Sequence, residues 1–170
     1  MSTQDLPRWL EVSDGTLSVK ATIIDALNFT HSYEAIGGYS TLRMMNGAAL
    51  KQTNWQKLKV SISGNGGLPF GLNGLDYSKL ITLKCGAPRA IVRPTNSFTL
   101  PSARRTDTGY EPVTFKLVEG FWVPLNAAGT ATAYKQLYYP QISCFMDTPQ
   151  ESFAWEGSPP TSWSLTAEEA

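Results

Sequence analysis

Lys57-Leu58-Lys59-Val60-Ser61-Ile62-Ser63 alternates polar and branched apolar residues without a break. Successive side chains of a strand point to opposite faces, so Leu58, Val60 and Ile62 share one face and the lysines and serines share the other. This is the pattern of a half-buried strand. It recurs in Thr16-Leu17-Ser18-Val19-Lys20-Ala21-Thr22-Ile23 and, at the C-terminal end, in Thr161-Ser162-Trp163-Ser164-Leu165-Thr166-Ala167.

Between these runs the chain is punctuated by turn signals. Tyr39 to Met45 reads as a strand, Asn46-Gly47 as a hairpin turn, and Ala48 to Thr53 as its return. Gly37-Gly38 reads as a break, and Asp25 to Ile36 as a short helix or a loop. Lys79 to Cys85 is a further short strand. Pro112 to Val123 reads as a hairpin turned at Glu119-Gly120, and Tyr134 to Met146 as strand interrupted by Pro140 at an edge or a bend. The sum is seven to nine short strands. The predicted fold class is mainly β: a single-domain β-sandwich or small barrel with a projecting hairpin and at most one short helix. Residues 1–15 read as an irregular lead-in ending in the turn Ser13-Asp14-Gly15. Residues 16–170 form one β-rich domain, with a long surface excursion over 88–110 that a partner would order.

Composition bounds the function. The chain has 170 residues, 42% apolar and 11% aromatic, enough for a core without a metal or disulfide staple. Lysine plus arginine and aspartate plus glutamate number 14 each, and charged residues make up only 16%. Zero net charge lacks the basic footprint of a nucleic-acid binder and favours association. No apolar run reaches the length of a membrane helix, and the first residues lack the apolar core of a signal peptide. Asn28-Phe29-Thr30 fits the glycosylation pattern and is read as chance in the absence of a secretory signal. Cys85 and Cys144 sit in apolar strand-like runs and read as buried free thiols, with a disulfide left open. With His31 the only histidine, no zinc ligand set assembles.

A search for chemistry finds little. Gly64-Asn65-Gly66-Gly67 lacks the Lys-Ser/Thr of a phosphate-binding loop and reads as a strained turn that continues to Gly71. His31 beside Ser32 and near Glu34 is adjacent only in sequence, which does not make a triad. Glu168-Glu169 reads as a solvated chain end. Asp76, Asp107 and Asp147 are isolated. Trp9, Trp55, Trp122, Trp155 and Trp163 read first as core, then as interface anchors, then as ligand platforms. The arginines Arg89, Arg93, Arg104 and Arg105 read as solvated loop groups or inter-subunit partners for carboxylates. No catalytic, metal or cofactor residue is assigned. The structural or interface candidates are Trp55, Gly64, Gly66, Gly67, Arg104 and Arg105.

Leu50 to Gly64, then Gly66-Gly67-Leu68-Pro69-Phe70-Gly71-Leu72-Asn73-Gly74-Leu75-Asp76, then Leu80 to Cys85 and Ala87-Pro88-Arg89-Ala90-Ile91, resemble minor tail and distal-tail proteins of long-tailed, non-contractile bacteriophages. Trp163-Ser164-Leu165-Thr166-Ala167-Glu168-Glu169 resembles the closing strand of such proteins. The likeness covers about half the chain; residues 92–160 match nothing. The resemblance implies a structural virion protein without reaction or cofactor, assembled in the host cytoplasm. It would be a subunit of a ring at the distal end of the tail, linking the tail tube to the tip and host-adsorption apparatus. Its partners would be copies of itself (a hexamer first, a trimer second), the tail tube protein, and a tail-tip hub or tape-measure protein. No nucleic-acid specificity and no membrane insertion are expected. The alternatives are another virion part (tube, terminator or capsid decoration), a carbohydrate-binding module and, last, a cell-wall hydrolase. Ring order, exact tier, host and receptor are not written in the sequence.

Overall fold

The computed structural model describes residues 9–22, 30–69, 71–152 and 162–170, with no side chains described at 21 and 22. Residues 1–8, the segment 25–29 with Asn28 and Phe29, Phe70, Trp155 and Thr161 lie outside the described residues.

Among the described residues, twelve strands in two antiparallel sheets make up the fold, with no closed barrel, consistent with a β-sandwich. The main sheet contains β1 (Trp9–Ser13), β2 (Ser18–Thr22), β3 (Thr30–Arg43), β4 (Ala49–Gly64), β5 (Ile81–Lys84), β10 (Gln141–Met146), β11 (Gln150–Ser152) and β12 (Ser162–Glu169). Its order is β2-β1-β5-β10-β12-β4-β3, with β11 also paired to β12. The second sheet contains β6 (Arg89–Arg93), β7 (Val113–Val118), β8 (Phe121–Pro124) and β9 (Ala133–Tyr138), in the order β6-β9-β7-β8. The only helical element among the described residues is a single 3-10 turn, Leu72–Gly74.

The alternation in 57–63 decides the core as expected. Leu58, Val60 and Ile62 are 7%, 0% and 1% exposed. They meet Trp163, Leu165 and Ala167 of β12, Ile142, Cys144 and Met146 of β10, Ile81, Leu83 and Cys85 of β5, and Leu10 and Val12 of β1. Each such aliphatic burial contributes about 1.5–3 kcal/mol. Leu72 and Leu75 enter the core from the loop after β4. That loop is tied to the Asp14 turn, whose carboxylate accepts from the Thr16, Leu17 and Asp76 amides at 2.8, 2.7 and 3.1 Å. These backbone donors hold Asp14 at a pKa of about 2.

Several expectations are corrected. Trp9–Ser13 is a strand, not the end of an irregular lead-in: Leu10 and Val12 alternate into the core, and β1 pairs on both sides with β2 and β5. The segment up to Ile36 is neither helix nor loop where it is described, because β3 begins at Thr30. Gly37-Gly38 does not break β3. The pair sits at a register shift between Gly38 and Tyr39, a bulge through which the ladder continues. The two runs 48–53 and 57–63 are one 16-residue strand, β4. The hairpin between β3 and β4 forms as expected, but its turn differs. Gly47 alone has a positive φ, 81°, with Gly47 N–H donating to the Met44 carbonyl and Met44 N–H to the Ala48 carbonyl. This is a three-residue loop closed by a left-handed glycine. At Glu119 and Gly120 both φ values are positive, 50° and 87°, the two-residue form expected there.

The largest correction concerns 88–110. Its two ends belong to the fold, while residues 94–103 between them run over the surface as expected. Arg89–Arg93 is β6, and Arg105 and Tyr110 are 1% and 3% exposed. Strand β5 runs into β6 through Gly86-Ala87-Pro88, and β9 runs into β10 through Tyr139-Pro140, so one antiparallel pair crosses from one sheet to the other. The corner is closed by Cys85 N–H to the Pro140 carbonyl, Arg105 N–H to the Tyr139 carbonyl and Gln141 N–H to the Ala103 carbonyl. Pro140 marks the bend, as the sequence suggested.

Candidate functional site

Three features stand apart from the main core: a buried arginine at the corner, a long two-stranded arm, and a second sheet with an uncovered face.

Arg105 forms the first. Its Nη1 donates to the Trp9 and Cys85 carbonyls at 2.8 and 3.1 Å. Its Nε and Nη2 donate to Asp107 Oδ2 at 3.0 and 2.8 Å. The guanidinium carbon lies 3.4 Å from the centre of the Tyr110 ring. Tyr110 packs edge-on against Trp9 and Tyr139, each at 4.8 Å between ring centres. Asp107 also meets Lys84, which in turn meets Glu11. Burial would raise the Asp107 pKa, but Arg105 and Lys84 outweigh it and hold the carboxyl below its usual value. Every polar atom on this arginine's head faces its own chain. The expectation that Arg105 contacts a neighbouring subunit is therefore corrected: it clasps the corner between the two sheets. Its neighbour Arg104 is half-buried at the rim of a cleft.

The arm is the second feature. Beyond Ile36 and Lys57, β3 and β4 pair with each other as a ribbon up to the turn at residues 45–47. Residues 39–56 of the ribbon and turn are all exposed. Among them Tyr39, Leu42, Met44, Leu50 and Trp55 are between 44% and 65% exposed, and Met45 is fully exposed. The register puts Leu42 opposite Leu50 on the outer face, with Trp55 opposite Gly38 on that same face. Any side chain at Gly38 would collide with the Trp55 indole, which explains a glycine there. The other face carries Arg43, Lys51 and Tyr39, with the Lys51 ammonium 4.7 Å from the Tyr39 ring centre. Leu42 and Met44 stand exposed on the arm, while Leu58, Val60 and Ile62 farther along β4 are core residues.

The second sheet is the third feature, and sequence reasoning missed it. Its register puts Val113, Phe115, Leu117, Trp122, Leu137 and Val92 on one face. None of them is buried. The one charge among them, Lys135, lies 5.5 and 4.7 Å from the Phe115 and Trp122 ring centres. The alternation Val113-Thr114-Phe115-Lys116-Leu117 was the available signal. It reads as an ordinary half-buried strand, so the missing cover is invisible in it.

The remaining candidates fall into place around these. Gly64 is buried against Trp163, whose ring would lie 2.8 Å from a Cβ there. Gly66 needs its left-handed φ of 96° and has open space around it. Gly67 is exposed in the same bend. Cys85 and Cys144 are free, buried thiols, and burial pushes both up to about 12. Glu168 is paired with Lys59 and Glu169 accepts from the Leu58 amide, so the expected solvated chain end is an ordered strand. Among the described residues no group of three His, Cys, Asp or Glu side chains is placed to hold a metal, and no helix is long and apolar enough to cross a membrane. Compared with known protein families and with curated proteins, the chain finds no match.

Proposed function

We propose that this chain is a structural subunit of a homo-oligomeric ring at the distal end of a bacteriophage tail, without a catalytic role. One observation carries the ring: among the described residues two different apolar surfaces are left short of burial, the exposed outer face of the arm and one face of the second sheet, which is half-buried with Val92 and Trp122 exposed. A two-fold dimer needs one self-complementary patch, whereas a ring needs two unlike surfaces, one on each side of the subunit. An isolated two-stranded ribbon is marginal in water, so a 14-residue and a 16-residue strand running past their sheet call for a partner. Charge suits a second copy. Four cations and no acids lie between Ala35 and Leu75, while the whole chain carries 14 of each sign, so the remainder is acidic by the same amount. The placement in a phage tail rests on the sequence resemblance alone. Tube-to-tip linkage, with the tube protein and a hub or tape-measure protein as neighbours, follows from that resemblance.

Two measurements test the reading in parts. Light scattering of the purified chain is expected to give one discrete species of six or three copies; a monomer at every concentration would overturn the ring. Antibody labelling of purified particles from the phage or prophage that encodes the chain is expected to mark one end of the tail. Particles without the chain, or label on the capsid, would overturn the tail assignment.

A further inference from the structure

The second sheet carries a cleft on its other face. Thr114 of β7 and Gln136 of β9 stand opposite each other in register and form its floor. The segment after β6 crosses this face and supplies Asn96, Phe98, Thr99 and Leu100 as a wall, and Arg104 closes one end. The cleft is shallow and open to solvent, with a volume of about 510 Å3, within the range of about 300–1,000 Å3 that small-molecule sites occupy.

Three observations define what fits. First, Arg104 is a cation without a carboxylate. Among the described residues no acid lies within ion-pair distance of it, and none lines the cleft. One nitrogen, Nη1, donates to the Pro101 carbonyl at 2.8 Å, which aims the head and leaves further donors of the fork. Its backbone is fixed by the bridge to Pro140 and by N–H donation to the Ser102 carbonyl. Second, amides and hydroxyls dominate the rest of the lining, which matches a ligand rich in hydroxyl groups. Gln136 Oε1 is shielded from solvent and has no hydrogen-bond partner, an acceptor left unsatisfied in a residue of the cleft lining. Third, Phe98 and Leu100 give apolar surface for the C–H face of a sugar ring.

We propose that this cleft binds an acidic saccharide, with Arg104 taking the carboxylate in a bidentate pair and Asn96, Thr99, Thr114 and Gln136 taking ring hydroxyls. A neutral sugar would leave Arg104 unmatched, and a simple anion would leave the amides and Phe98 unused. The site is independent of ring formation and lies on the face opposite the uncovered apolar one.

Titration calorimetry of the full chain with digalacturonate, methyl galactoside and acetate tests the proposal. Digalacturonate is expected to bind at least about tenfold more tightly than either control. Arg104→Gln is expected to weaken it by at least about tenfold and Asn96→Ala by a smaller factor, with the melting curve unchanged in both. Asn96 is exposed, so its variant keeps the test valid even where Arg104→Gln alters the corner. No digalacturonate binding at millimolar concentration, equal binding of acetate or of the neutral galactoside, or binding indifferent to both substitutions would each overturn the proposal.

Discussion

Arg105 holds its position through four hydrogen bonds and one stacked ring: two bonds go to the nearby Asp107 and the ring is Tyr110, while the other two bonds reach the Trp9 and Cys85 carbonyls far away in the chain. Replacing it with methionine keeps most of the packing volume but strands the buried Cys85 carbonyl, while the Trp9 carbonyl keeps the Tyr110 hydroxyl. It also removes the fork from Asp107, which keeps Lys84 and some solvent. Losing one partner of a buried pair costs about 3–5 kcal/mol, and the partial exposure of Asp107 places Arg105→Met near the lower end. Urea unfolding should show that loss; Arg104→Ala, at the rim, should move the midpoint little. His31 makes a second residue-scale prediction. Burial beside Tyr33 lowers its pKa from 6.5 to about 4. Above pH 6.5 the ring is neutral folded and unfolded, so no dependence arises. Between 6.5 and 4 the unfolded chain takes up a proton that the folded chain refuses, so stability falls as pH falls, by at most about 3 kcal/mol. His31→Gln should flatten the unfolding midpoint across that window, leaving the separate Asp14 contribution between roughly pH 4 and 2.

Among the elements, the loop from Gly64 to Gly71 and the arm separate two uses of glycine. At Gly64 the difficulty is space, since a methyl group would enter the Trp163 ring at the end of the β4–β12 ladder. At Gly66 the difficulty is conformation alone. Gly66→Val should cost about 1–3 kcal/mol through backbone strain. Gly64→Ala should cost at least as much, because an overpacked core relaxes only by moving a tryptophan. Comparing the two denaturation midpoints checks the ordering. The arm obeys a different logic. Leu42 and Leu50 touch no core, so Leu42→Ser with Leu50→Ser should leave the subunit's melting temperature within the small range of surface substitutions, about 0.5 kcal/mol. The same pair of changes should dissolve the oligomer seen by light scattering. Unchanged oligomer size would remove the arm from the interface. Hydrogen exchange adds an independent check: amides of residues 39–53 should be protected in the assembled form and lose protection in this variant.

At the scale of the molecule, one core sits against the main sheet while the second sheet and the arm extend from it. Cys85 and Cys144 both lie in that core, at 0% exposure, with the Cys144 thiol donating to the Ile81 carbonyl at 3.4 Å. A thiol pushed up to about 12 is protonated at neutral pH and a poor nucleophile. Neither should react with a thiol reagent in the folded chain at pH 7, and both should react together in urea at the transition that other probes report. Labelling of one thiol before that transition would show that β5 and β10 open separately. The corner through Gly86 and Pro140 also makes the second sheet a continuation of the β5–β10 pair rather than a domain with a core of its own.

Period-two alternation was enough for the strands that supply the core: β2, the second half of β4, β5, β10 and β12 are legible because each buries one face against neighbours, and burial selects residue type. The Glu119-Gly120 turn, the Pro140 bend and the buried thiols are equally local, set by backbone angles and polarity that a few residues carry. Where the sequence misled, the missing information was always long-range. Arg105 looks like any loop arginine until Trp9, Cys85 and Asp107 converge on it, because nothing in its neighbours announces two carbonyls contributed from 20 and 96 positions away. Gly37-Gly38 looks like a break until Trp55 is seen lying across it. The uncovered face of the second sheet and the cleft behind it reverse that case, since the strand pattern is ordinary and what is absent is a covering layer. Alternation records which residues share a face. Only the tertiary structure decides what, if anything, that face is packed against, because packing depends on the path of segments elsewhere in the chain.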